Sequence, residues 1–179
     1  MKRRIFRVLS AAVLLAALSL SLNGCGYTLV GRASNLPEDI KSIFVQPLEN
    51  RTPRSQVEQF LTNAISDELV TRQRYAVVAT PEESDAQITG AVTGFGVTPV
   101  TFDAQGRATE YEIAITARMI FHRTGDPEAV LWRNDRYVFR ENYEVEVSEA
   151  GYFDQEDTAI EEVAERFAET MVSDLLEGF

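Results

Sequence analysis

Tyr111-Glu112-Ile113-Ala114-Ile115-Thr116-Ala117-Arg118-Met119-Ile120-Phe121 is the stretch whose reading decides the fold. Tyr111, Ile113, Ile115, Ala117, Met119 and Phe121 alternate with Glu112, Ala114, Thr116 and Arg118. A period of two places the first set on one buried face of a sheet and the second on the other. On the N-terminal side, Asp103-Ala104-Gln105-Gly106 has the residues of a hairpin tip. On the C-terminal side, Gly125-Asp126-Pro127 supplies another turn, and Val130-Leu131-Trp132 through Tyr137-Val138-Phe139 is a further strand that should return antiparallel.

Working outward, Gln87 to Thr93 reads as the strand that enters the hairpin, and Tyr75 to Val78 as a short strand ended by Thr80-Pro81. Ile43-Phe44-Val45 is a third short run, followed by Pro47 and the polar loop Glu49-Asn50-Arg51-Thr52. Ser55-Gln56-Val57-Glu58 has the spacing of a capping box, which starts a helix. Val57, Phe60, Leu61, Ala64, Ile65 and Leu69 continue it as one apolar stripe ending near Thr71. After a polar connection through Gly151, Ile160, Val163, Ala164, Phe167, Ala168, Met171, Leu175 and Leu176 share a face of a second, longer helix. Its other face carries Glu161, Glu162, Glu165, Glu169 and Asp174. The predicted class is α+β: a mixed, mostly antiparallel sheet of about four to five strands with two amphipathic helices packed on one face.

The N-terminus belongs to a different kind of segment. Lys2, Arg3, Arg4 and Arg7 precede the apolar stretch Val8 to Leu22, which is followed by Leu22-Asn23-Gly24-Cys25. A basic start, an apolar run of signal-peptide length and a small residue before a cysteine form a bacterial lipobox. The expected organisation is a signal peptide over 1–24, a lipidated tether over 25–39 beginning at acylated Cys25, and one domain over 40–179 in which order begins near Ile40. Cys25 is the only cysteine, so no disulfide can contribute to the fold and packing must hold it.

Removal of 1–24 leaves 13 basic against 28 acidic residues, a net charge of −15. That balance argues against nucleic acid as a partner and against broad adsorption to anionic headgroups. Catalytic chemistry is equally poorly supplied. His122 is the sole histidine, expected as a surface residue at a strand end, so neither a His-pair metal site nor a Ser-His-Asp set can be assembled. Thr93-Gly94-Phe95-Gly96 lies in a strand-like run with no helix after it, which favours a bulge or a close backbone approach over a phosphate loop. Glu82-Glu83 and Glu161-Glu162 are carboxylate pairs without a flanking cleft. No catalytic residue, metal or cofactor is expected.

Three motifs then stand together: Cys25-Gly26-Tyr27-Thr28-Leu29 at the acylation site, Leu36-Pro37 ahead of Ile40-Lys41-Ser42-Ile43, and Glu110-Tyr111 opening the long strand. With the order strand, helix, strands, helix, they make the chain resemble the lipopolysaccharide-assembly lipoprotein family LptE over nearly its whole mature length. The resemblance implies a sheet with two helices on one face, and a role as a plug inside the outer-membrane β-barrel LptD. There it would help the barrel assemble and assist lipopolysaccharide insertion into the outer leaflet. It also implies lipid attachment through Cys25 and a place on the periplasmic side of the outer membrane. Lipopolysaccharide itself is a further candidate ligand. Family members carry basic residues connected with that contact, one of them in the hairpin tip, whereas the tip here reads Phe102-Asp103-Ala104-Gln105-Gly106-Arg107. Asp103, Arg107 and Arg123 are therefore the candidate contacts to lipopolysaccharide or the barrel. The competing reading is an accessory lipoprotein subunit of another envelope transport system.

Overall fold

The computed structural model describes residues 36–144 and 152–177, which fall in one compact unit, Ser34–Phe179. The expected signal segment, Cys25 and the polar connection over 145–151 lie outside the described residues. In chain order the elements are β1 (Ser42–Val45), β2 (Glu49–Asn50), α1 (Val57–Thr71), β3 (Ala76–Val77), a 3-10 turn (Pro81–Glu83), β4 (Ala86–Phe102), β5 (Ala108–Arg123), β6 (Asp126–Glu144) and α2 (Tyr152–Glu177).

The class is as predicted, α+β with a mixed sheet, but the sheet has six strands in the order β3-β1-β4-β5-β6, with β2 also pairing β4. The additional strand is β2, which falls within the polar run read as a loop. Glu49 and Asn50 align with Ala91 and Val92 of β4, and a two-residue strand held by backbone bonds leaves no alternation to read. β1 pairs in parallel with β3 and β4, while β4, β5 and β6 form an antiparallel meander.

Register explains the alternation in Tyr111 to Phe121. Phe121 stands opposite Ile88 and Trp132, Ala117 opposite Val92 and Tyr137, and Ile115 opposite Phe95 and Phe139. Directly opposed residues share a sheet face, so these rows build the inner face. Ile113, Ile115, Ala117, Met119 and Phe121 are fully buried in one apolar cluster with Val57, Leu61, Ile65 and Leu69 of α1 and the predicted stripe of α2. Phe167 sits at its centre, edge-on to Tyr137 at 5.3 Å and to Phe139 at 5.9 Å between ring centroids. Nearby, the Tyr137 hydroxyl donates to Asp174 Oδ2 at 3.1 Å, tying β6 to α2. Burial first, and then the Asp174 charge, raise the phenol's pKa.

Gly90 is the point of closest approach in this core. A Cβ there would lie 2.4 Å from the Arg118 carbonyl oxygen and 2.8 Å from Met119 Sδ, so only glycine fits opposite Met119. The register shifts between Val92 and Gly94, the bulge expected of the Gly94 and Gly96 pair.

Several local expectations change. The Ser55/Glu58 capping box does not form: Gln56 precedes α1 at φ 69° with no side-chain cap, and Asn50 Nδ2 takes the Glu58 carboxylate at 2.7 Å. Phe60 is only half-buried, because the buried stripe of α1 advances in steps of four from Val57 and leaves Phe60 on its flank. The second turn is Thr124-Gly125, with Gly125 at φ 80°, and Asp126 and Pro127 already belong to β6. Proline is tolerated there because β6 is an edge strand. His122 is buried instead of lying at the surface, its Nδ1 2.9 Å from the Arg123 carbonyl oxygen. Leu36, ahead of the expected start of order at Ile40, is buried against the same core.

Candidate functional site

The tip between β4 and β5 is organised by Asp103. Its Oδ1 accepts from the backbone N–H groups of Gln105 and Arg107, each at 2.9 Å, and Arg107 Nε donates to its Oδ2 at 2.8 Å. Gly106 takes the left-handed conformation at φ 76° that the turn requires. The Arg107 N–H is the main reason the Asp103 carboxyl is held below its ordinary pKa, with the guanidinium adding to it. Asp103 thus shapes the turn, and Arg107 is engaged by it.

Arg123 is at the other end of β5, where its guanidinium makes a two-point contact with the Asp39 carboxylate. That contact is the leading cause of a lowered Asp39 pKa. Beside it, Asp85 Oδ2 accepts from Lys41 N at 2.8 Å, Ser42 N at 2.9 Å and Ser42 Oγ at 2.9 Å. The Ser84 and Thr124 hydroxyls lie 2.7 Å apart. This clasp joins the Lys41-Ser42 segment to the β5–β6 turn. The three candidate contact residues therefore do not form one site: Asp103 and Arg107 meet at one tip, and Arg123 is far from both.

On the helical side, α1 and α2 leave a groove of 380 Å³ with Phe60 and Ala64 at its base and Asp67, Glu161, Glu165 and Glu169 along its walls. Glu82 and Glu83 are exposed in the 3-10 turn. Among the described residues no three or more metal-ligating side chains converge, and no helix is long and apolar enough to cross a membrane.

The second face of the sheet is a feature that sequence reasoning did not single out. Both helices pack on the inner face, so the opposite face carries Thr89, Thr116, Arg118, Ile120, Arg133 and Val138, in rows fixed by the register, with Ala91 covered among them. Arg133 is paired with Asp135 at 2.8 Å, and Arg140 lies 3.5 Å from Glu112. Arg118 has no ion pair among the described residues, and its Nε is buried without a hydrogen-bond partner. The signal was present in the outward set of the alternating strand, where Ala114, Thr116 and Arg118 keep the surface low and polar.

The domain thus has two layers, the helices on one side and the long antiparallel meander on the other. The chain belongs to the lipopolysaccharide-assembly family LptE, which matches residues 40–175. This is a family of assembly proteins rather than enzymes. No curated protein matches the chain significantly. Among solved structures, the hypothetical protein CT253 from Chlamydia trachomatis aligns at a TM-score of 0.53 with 9% identity, covering 78% of this chain and 97% of its own. A putative lipoprotein from Caulobacter crescentus aligns at 0.50 with 14% identity, covering 75% and 87%. At these identities the likeness is one of fold. The rare lipoprotein B from Shewanella oneidensis aligns at 0.43 with 14% identity, covering 74% and 95%.

Proposed function

We propose that this chain is the lipid-anchored plug of an LptD-type outer-membrane β-barrel, attached through acylated Cys25 on the periplasmic side, and that it helps the barrel assemble and insert lipopolysaccharide. The observation that carries the reading is the extent of the family match, which takes in the sheet and both helices. The lipobox ending at Cys25 and the absence of any other cysteine support the anchor. A plug must present polar, shape-complementary surface to a hydrated lumen, and the meander offers a long sheet with polar and charged residues between its apolar ones.

Barrel docking is better supported than direct binding of lipopolysaccharide phosphate at the tip. Arg107 and Arg123 are each satisfied by a carboxylate of the chain itself, and such a partner competes with an external phosphate. The test is extraction of tagged full-length protein in gentle detergent, followed by identification of what accompanies it. A large outer-membrane barrel is expected. Recovery of an inner-membrane transport complex without any barrel would replace the plug with the accessory-subunit reading.

A further inference from the structure

α1 and α2 lie side by side and run in the same direction. Arg54, just ahead of α1, pairs with Asp157 in the early turns of α2, and Arg72, just past the end of α1, donates to Ser173 Oγ at 2.7 Å. Between these two fastenings lies the groove of 380 Å³. Its floor is apolar: Phe60 and Ala64 pack on the core from its flank and keep part of their surface open. Its walls are acidic and mostly uncompensated. Glu68 is engaged by Arg72 at 2.6 Å, whereas Asp67, Glu161, Glu165 and Glu169 hold no ion pair among the described residues. Glu161, Glu165 and Glu169 follow one another at steps of four, which sets three like charges in one row and makes each repel the next. A cation from outside relieves that repulsion.

We propose that the groove between α1 and α2 docks a short basic segment of a partner protein, with an apolar side chain seated on Phe60 and lysine or arginine side chains reaching Asp67 on one wall and the Glu161, Glu165 and Glu169 row on the other. Charge complementarity fixes the class of occupant. Acidic walls repel an anionic lipid headgroup. Among the described residues no three metal-ligating side chains converge, so the row matches cationic groups spaced along a chain better than a single ion. A free polyamine would reach the walls and leave the aromatic floor uncovered. A lysine or arginine covers such a floor with its aliphatic stem while its charged head stays among the carboxylates, and its cation is attracted to the face of an aromatic ring. The fastenings at Arg54 and Arg72 hold the two helices in place before docking, which lowers the ordering cost of binding. The groove belongs to the helical layer, so a segment held there leaves the open sheet face uncovered.

The test measures binding of a fluorescent peptide, one leucine flanked on each side by lysines, to the full-length lipoprotein in detergent, with spermine and the same peptide carrying glutamate for lysine as comparisons. Wild type should bind the lysine peptide and not the glutamate peptide. Glu161→Gln with Glu165→Gln should weaken the lysine peptide by about tenfold. That double variant should melt no lower than wild type, because it removes a like-charge pair. Glu82→Gln with Glu83→Gln makes the same change of net charge outside the groove and should leave the affinity as it was. Phe60→Ala should weaken the peptide and leave spermine unaffected. An equal loss from both glutamine pairs, or none from either, would overturn the groove as the site. Spermine binding as tightly as the peptide, with no response of the peptide to Phe60→Ala, would overturn the protein segment in favour of a small polycation. Each outcome is read without the barrel, so the plug reading stands or falls separately.

Discussion

Arg107 and Arg123 flank the two ends of β5, separated by its 16 residues and so by roughly 50 Å at about 3.4 Å per residue. Each is tied to its own carboxylate, Asp103 at the tip and Asp39 at the clasp. A partner that touches both must run the length of the sheet. Photocrosslinkers placed at Gln105 and at Gly125 should therefore trap different segments of one large outer-membrane protein. Because both ends are exposed, salt should weaken their contribution, screening acting over about 8 Å at physiological ionic strength. Adducts to unrelated proteins at the two ends would argue against a single barrel.

Phe167 is fully buried between Tyr137 and Phe139. Phe167→Ala should cost about 3–5 kcal/mol in denaturant unfolding. Phe60→Ala, at a half-buried site beside the groove, should cost clearly less, on the order of 1–2 kcal/mol. Equal losses would mean that the buried face of α1 is misassigned.

Gly90→Ala should destabilise the domain by about 1–3 kcal/mol through overpacking, since the new methyl meets a backbone oxygen that cannot swing away. Gly96→Ala, facing open space, should leave the melting temperature of the isolated protein nearly unchanged. The contrast between the two alanines is the readout.

Asp85 is held below the ordinary carboxylate range, first by the Lys41 N–H and then by the hydroxyl and N–H of Ser42. A pKa depressed on folding stabilises the folded state above the unfolded value, near pH 4, and that contribution fades as pH falls through the lower folded value. Asp85→Ala should lower the melting temperature at neutral pH, and the difference from wild type should shrink below pH 4. A difference independent of pH would assign the loss to packing instead of charge.

Cys25→Ser should abolish metabolic labelling by fatty acid and release the mature domain from the membrane fraction. Labelling that persisted in the variant would place the acyl group elsewhere.

The sequence by itself determined the class of fold, the buried faces of β5 and α2, the hairpin tip at Asp103 to Gly106 and the family. Each of these is written in local periodicity or in contiguous motifs, so residues near in the chain carry the whole signal. Only the tertiary structure decided that β2 is a strand, that Phe60 lies on the flank of its helix, that His122 is buried, that Arg107 and Arg123 stand at opposite ends of the sheet, and that the second face of the sheet is left uncovered by either helix. Those properties depend on groups distant in sequence, as Glu49 depends on Ala91 and Arg123 on Asp39. A period of two assigns a side chain to a face. Whether that face is then covered by a helix or left open to a partner depends on where the rest of the chain packs.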